Sequence, residues 1–407
     1  MGSSRQNRQS QNHMLIKVPS SKSYTNRALI LAALRKGKTV IKNPLDCDDT
    51  KYMIRALKKL GITVEQKNSS QITITSNGTP FKNPGTINIG NAGTAMRFLT
   101  PLLALQPFTS TITGNLRMQE RPMKDLIIGL EGVGFRIEHK NYCPPLKIHG
   151  DPTIKPKKIT VKGSTSSQYI SALLLSSPLL GNPEIKITDN LVSKPYIKMT
   201  RDIIKNFDSM YTVETDASSA SYFFALGALG FNVKVANLTS KSLQADIQIL
   251  KYLKKMGCKV KEDSQGIQVI GPKQLKPLGT VDLKELPDSA MTLSILCCFA
   301  KGRSTLKGLS NLRFKECDRL AALQIELSKT GARVKELNDG LQIYGIEKIK
   351  PSTIATYDDH RMAMCAALLK SQEPKTKIQN PGCVSKTYPN FWNDFETSLK
   401  SQVPSTK

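Results

Sequence analysis

The sequence predicts an α/β protein built of about six βαβαββ repeats. Two observations lead there. Six segments share one design, a small or polar cluster followed by about ten Ala- and Leu-rich residues, and they recur at intervals of 69, 75, 50, 72 and 71 residues. Between them lie amphipathic stretches that stop at Gly and lead into β-branched runs, the alternation expected of mixed strands and helices.

The six segments start at Lys22, Asn91, Ser166, Asp216, Asp288 and Asp359. Each reads as a buried helix with a polar N-terminal end. The amphipathic helices are read at Asp49–Leu60, Pro122–Gly132, Asp246–Met256 and Asp318–Thr330, with Gly61, Gly134, Gly257 and Gly331 close behind as terminators. Hairpin partners follow at Gln71, Pro145, Gly266 and Gly340. The interval of 50 marks a third repeat shortened by about 20 residues, roughly two strands, because Asp208-SMYTVE runs straight into Asp216. Losing two strands exposes a sheet edge there. Residues 1–13 read as a polar, disordered leader, 13 residues being short for a transit peptide, with Met14 expected as the native start.

Composition narrows the function. The chain has 407 residues, with 59 Lys and Arg against 32 Asp and Glu, a net charge of +27. Such an excess favours an anionic partner, whether nucleic acid, a membrane surface or a phosphorylated small molecule. Aromatic residues are only 6% and show no interleaving with basic ones, which argues against nucleic acid. No apolar run is long enough to span a membrane. Neither a P-loop nor a dinucleotide fingerprint is present. The four histidines are too few and too scattered for a multi-histidine metal site, and none of the eight cysteines forms a CxxC pair. Adjacent Cys297 and Cys298 lie in an apolar run, as buried thiols of a reducing compartment would. No cofactor and no metal are expected, and the localisation expected is cytoplasmic.

Helix N-termini attract anions through free N–H groups and the helix dipole. Six such ends facing one cleft would hold a multiply charged ligand, although Ser, Asn and Asp at these positions also serve as ordinary caps. Arg121, Arg361 and the cluster Lys315, Glu316, Asp318, Arg319 stand at helix starts, where Arg offers a bidentate fork to carboxylate or phosphate.

Ten ordered motifs then point to one family: PSSKSYTNRALILAAL, GNAGTAMRFL, RMQERP, GSTSSQYISALL, LVSKPYI, DASSASYF, LPDSAMT, RFKECDRL, TYDDHRMAM and NPGCVSKTYP. From Ile16 to Trp392 the chain resembles the 5-enolpyruvylshikimate-3-phosphate synthases. The resemblance implies transfer of the enolpyruvyl group of phosphoenolpyruvate to the 5-hydroxyl of shikimate 3-phosphate, through a tetrahedral adduct and with release of phosphate, in the shikimate pathway. It implies a fold of two similar domains, each of three βαβαββ repeats forming an inside-out α/β barrel or prism, with 20–213 as the first and 14–19 plus 214–407 as the second. It implies small anionic substrates as partners, no nucleic acid, no membrane and a monomer. Alternative readings are enolpyruvyl transfer to a UDP-amino sugar, an inactive remnant, or a basic nucleic-acid-binding protein.

The resemblance also assigns residues. Lys22, Asn91, Gly93, Thr94, Arg121, Gln168, Arg319, Arg361 and Lys386 would bind phosphoenolpyruvate. Lys22, Ser23, Arg27, Ser166, Ser167, Gln168, Ser193, Tyr196, Asp288, Asn311 and Lys315 would bind shikimate 3-phosphate. Lys22, Asp288 and Glu316 would be catalytic, Asp288 as base for the 5-hydroxyl and Glu316 beside the enol carbon, with Lys22 as a rival proton carrier. Burial would raise the two carboxyl pKa values and neighbouring cations would lower them. Asp216 and Asp359 read as caps and Arg partners. The family is the target of glyphosate, which occupies the phosphoenolpyruvate site, and the small Gly93 leaves room for it. Pro101 stands three residues beyond the position expected of the family.

Overall fold

The structure is a computed structural model that describes residues 13–401. The leader, His13 apart, lies outside them. The six expected helices are α1 (Lys22–Leu34), α2 (Gly93–Ala104), α3 (Ser167–Ser176), α4 (Ala217–Ala228), α5 (Pro287–Cys298) and α6 (His360–Gln372). Every residue of α2 and of α4 is buried, so neither helix keeps a solvent-facing side. α1, α2 and α3 pack on one another in one half, and α4, α5 and α6 in the other. Pro101 lies inside α2, which continues through it to Ala104.

Sheets lie outside these helix triplets. The hairpins pair as expected, Thr63–Asn68 with Gln71–Ser76, Arg136–Lys140 with Cys143–His149, Lys259–Asp263 with Gly266–Ile270, and Arg333–Leu337 with Gly340–Tyr344. Each belongs to a four-stranded mixed sheet. Met210–Thr212 joins the sheet of the first repeat by parallel pairing with Val40–Lys42, and Met14–Ile16 joins that of the fourth by pairing with Val233–Val235.

The third repeat is short as the spacing indicates. Its sheet has two strands, Lys158–Val161 and Glu184–Ile187. Ile159 and Val161 are buried, whereas Ile185 and Ile187 on the outer strand are only half-buried. The structure adds a correction: among the described residues the sixth repeat also has only a two-stranded sheet, Thr353–Ile354 with Lys377–Ile378. Interval arithmetic could not register this, because no seventh repeat follows. The edge is therefore a feature of both halves.

The apolar interior forms two clusters. One runs from Tyr24 to Val213, and the other combines Ile16 and Val18 with Ala217 to Phe395. The chain crosses between them twice, and the crossings lie antiparallel: Ser21 N donates to Glu214 O at 2.8 Å and Asp216 N to Pro19 O at 2.9 Å. This ribbon sets the starts of α1 and α4 beside each other at the mouth of the cleft.

Candidate active site

All six buried helices deliver residues of their N-terminal ends to one cavity between the halves: Lys22 and Ser23, Gly93 and Thr94, Ser166 to Gln168, Asp216 and Ser218, Asp288, and His360 and Arg361. Ser193, Tyr196, Asn311, Lys315, Glu316, Arg121 and Arg319 complete most of the wall. Capping accounts for only part of the polar residues at the starts. Ser166, Asp216 and Asp359 do cap α3, α4 and α6. Asp246 receives the Ser289 N–H at the start of α5, while Ser21 and Ala92 make no side-chain cap for α1 and α2. The positive ends of α1 and α2 are thus left to the cleft.

Arg319 organises the second-half wall. It is 1% exposed and reaches three carboxylates: Asp359 Oδ2 at 2.7 Å, Glu316 Oε2 at 2.9 Å and Asp288 Oδ1 at 3.1 Å. Arg361 Nη2 lies 2.9 Å from the other Asp288 oxygen. Asp288 is therefore no cap; it stands in the first turn of α5, between two guanidinium groups.

Across the cleft, Lys22 and Lys386 both bind the buried Asp49, at 3.0 and 2.6 Å. Lys386 also donates to Asn91 O at 2.7 Å, and Arg121 donates to Asn91 Oδ1 at 3.1 Å. Arg121 and Lys386 approach Glu316 at 4.0 and 3.9 Å. Arg117 ties the halves together, donating to the carbonyls of Glu316 at 3.0 Å and Lys315 at 2.9 Å.

These contacts settle the competition over the two carboxyls. Burial acts on Asp288 to raise its pKa, but Arg361, Lys315, Arg319 and Lys22 outweigh it and hold the group below its usual range. For Glu316 burial is likewise outweighed, by Arg319, Arg121 and Lys386. Both are ionised at neutral pH. On Lys22 burial disfavours the charge, yet Asp49 and Glu316 keep its pKa above the ordinary value. Lys315 goes the other way: burial brings it down to about 8. His360, deeply buried among cations, has its pKa pushed well down and is neutral.

Several buried polar atoms on the cavity wall have no hydrogen-bond partner: both ring nitrogens of His360, Asn311 Oδ1 and Arg121 Nε. Buried polar groups are normally satisfied, so a cluster of such atoms in one cleft marks a surface built for a polar ligand.

Of the residues assigned by resemblance, three stand outside the immediate lining. Asn91 and Lys386 face each other at its margin. Arg27 lies behind it, 2% exposed, with its guanidinium donating to Thr200 Oγ1, Ser23 O and Ser171 Oγ. Sequence reasoning did not single out Asp49, Asp246 or Arg117. Asp246 sits behind the wall and accepts from Tyr196, Ser218 and Ser289.

The family model for EPSP synthase (3-phosphoshikimate 1-carboxyvinyltransferase) matches residues 7–210 and 208–395. The chain belongs to this family. Relatives agree with it. The 3-phosphoshikimate 1-carboxyvinyltransferase of Sulfurovum sp. is 40% identical over 412 residues, covering 94% of this chain and 96% of its own. The chloroplastic enzyme of Brassica napus is 38% identical over 428 residues, 95% of this chain and 83% of the relative. Among solved structures, EPSP synthase from Acinetobacter baumannii superposes with a TM-score of 0.74 at 22% identity, over 94% of this chain and 95% of that one. It shares the two-domain α/β fold.

Proposed function

We propose that the cleft carries out the family's reaction, enolpyruvyl transfer from phosphoenolpyruvate to the 5-hydroxyl of shikimate 3-phosphate, with the following division of labour. The observation that carries the proposal is the convergence of Arg121, Arg319 and Arg361 on two ionised carboxylates, Asp288 and Glu316, in a cavity that Lys22 also lines and where six helix starts meet. The domains that close on each other are 20–213, and 14–19 with 214–407.

Phosphoenolpyruvate binds against Lys22, Arg121, Arg319, Arg361 and Lys386, with Asn91, Gly93, Thr94 and Gln168 beside its phosphate. Shikimate 3-phosphate binds against Ser23, Ser166, Ser167, Gln168, Ser193, Tyr196, Asn311 and Lys315, with Arg27 supporting Ser23 from behind. Closure between the two halves excludes water and strengthens each charge interaction.

In the addition step C3 of phosphoenolpyruvate gains a proton from the Lys22 ammonium. The 5-oxygen bonds to C2 and gives its proton to Asp288, which is ionised and ready to accept it. In the elimination step C3 returns a proton to Glu316, the C2–O bond to phosphate breaks, and the electron pair leaves with phosphate. Of the two protons then on Asp288 and Glu316, one resets Lys22 and the other departs with the phosphate. The shortened third repeat does not interrupt this set, since Ser193 and Tyr196 precede the missing strands, Asp216 follows them, and all three line the cavity. The protein acts as a cytoplasmic monomer in this reading.

The test is a coupled phosphate-release assay. Release that requires both shikimate 3-phosphate and phosphoenolpyruvate is expected. Release from phosphoenolpyruvate alone, or none with the pair, would sink the proposal.

A further inference from the structure

Three cations assigned to phosphoenolpyruvate come from three elements that meet behind the second-half wall. Arg319 opens the helix Arg319–Lys329, Arg361 is the second residue of α6, and Lys386 ends the 3-10 helix Pro381–Lys386. The loops leading into the last two are held in an uncommon backbone state. Tyr357 and Asp358 have φ of 54° and 53°, and Asn380 has 43°. Side chains other than Gly rarely adopt this region, and two such residues in a row persist only where their surroundings hold them. Asn380 Nδ2 donates to Asp358 Oδ1 at 3.1 Å, joining the two loops.

The anchor is Glu326. It lies seven residues after Arg319, two turns along the same helix, and is 2% exposed. Its carboxylate accepts from Ala355 N at 3.0 Å, Tyr357 OH at 2.7 Å and Lys329 Nζ at 2.6 Å. Tyr357 is 41% exposed, so packing does not require it there; its hydroxyl nonetheless turns back to the buried acid. One rigid helix thus presents Arg319 at its first turn and, two turns on, grips the strained loop that sets Asp359 and Arg361.

We infer that Glu326, through Ala355 and Tyr357, is a positioning residue that fixes the spacing between Arg319 and Arg361 and so the site for phosphoenolpyruvate. The inference rests on the reading of the cleft given above. Of the residues assigned to shikimate 3-phosphate only Asp288 touches this junction, through Arg319 at 3.1 Å and Arg361 at 2.9 Å, so the larger effect falls on phosphoenolpyruvate.

The test compares wild type with Tyr357→Phe and Glu326→Gln. Wild-type phosphate release checks the reading of the cleft by itself. Tyr357→Phe removes one hydroxyl from a part-exposed ring and keeps the fold. It is expected to raise KM for phosphoenolpyruvate about fivefold to tenfold, with a clearly smaller change in KM for shikimate 3-phosphate. Glu326→Gln keeps one acceptor oxygen and is expected to show the same selective rise. An unchanged ratio of the two KM values, or both rising together as the melting temperature falls, would overturn the inference. If wild type shows no turnover, the readout becomes phosphoenolpyruvate titrated against fluorescence of Trp392, which donates to Pro381 O at the start of the Lys386 element. Weaker binding in Tyr357→Phe then supports the inference and equal binding overturns it.

Discussion

Lys386 Nζ lies 2.6 Å from Asp49 Oδ1, and the two residues belong to opposite halves of the molecule. Asp49 is buried and also holds Lys22 at 3.0 Å, so one carboxylate keeps two ammonium groups apart and links the halves. Both lysines lower the Asp49 pKa against the opposing effect of its burial, so it is ionised at neutral pH. Asp49→Asn leaves two part-buried cations side by side, with Glu316, 3.9 Å from Lys386, as the remaining acid near them. A buried pair broken on one side is costly, about 3–5 kcal/mol before relaxation. The expected outcome is at least a tenfold fall in kcat/KM. Because Asp49 is the leading influence that raises Lys22 against burial, the basic limb of the pH–rate profile should also move to lower pH. A lower rate with an unmoved basic limb would separate Asp49 from the protonation of Lys22.

Lys315 gives a second pH dependence. Burial puts its pKa at about 8, so the ammonium is complete below that pH and lost above it. A phosphate held by this group binds more weakly as the charge disappears. KM for shikimate 3-phosphate should rise above pH 8, approaching tenfold per pH unit where this group dominates. The sign for stability is opposite. The unfolded chain retains its proton up to the ordinary lysine value, so from about pH 8 to 10.5 this group's contribution to stability improves with pH. Lys315→Arg, always charged, should flatten the KM profile.

The helices were legible because burial on all sides leaves an unmistakable run of Ala and Leu, and because their starts must be polar. The roles of Asp216 and Asp359 as caps follow from local sequence, since a cap bonds within its own first turn. Asp49 and Asp246 were not legible as site residues. An acid at the start of an amphipathic helix looks like a dipole partner, and nothing local shows Lys386 arriving from 337 residues away or Tyr196 from 50. Arg117 was visible only as a letter in a motif, for its acceptors are backbone carbonyls of the other half, which carry no sequence signal. The ionisation of Asp288 and Glu316 likewise required the distances, because burial and cations act in opposite directions.

Gly93 opens α2 beside Arg121. A Cβ there would meet Arg97 Nη1 and lie 2.8 Å from Arg121 Nη2 and 2.9 Å from Arg121 Cζ. Both arginines are buried, and Arg121 can give way only toward the cavity that it lines. Gly93→Ala should displace the Arg121 guanidinium and raise KM for phosphoenolpyruvate by about tenfold or more, equivalent to about 1.4 kcal/mol. Glyphosate, competing for the same place, should inhibit wild type and lose potency in the variant. Absence of inhibition of wild type at millimolar glyphosate would reject the assignment of Gly93 to that site.

The two-stranded sheet of the third repeat makes unequal demands on its two strands. Ile159 is fully buried, while Ile185, its partner in register on the outer strand, is half-buried. Removing a buried isoleucine to Ala leaves a cavity and costs about 2–4 kcal/mol. A half-exposed one loses less transfer energy and leaves no closed cavity. Ile159→Ala should therefore lower stability several times more than Ile185→Ala, measured by denaturant midpoint at constant slope. Amide exchange should show the same asymmetry, because both strands have an unpaired edge among the described residues but only Lys158–Val161 is backed by fully buried side chains. Equal destabilisation by the two substitutions would mean that the edge is covered in solution. It would then be a contact surface, and the missing pair of strands would have been replaced by another partner.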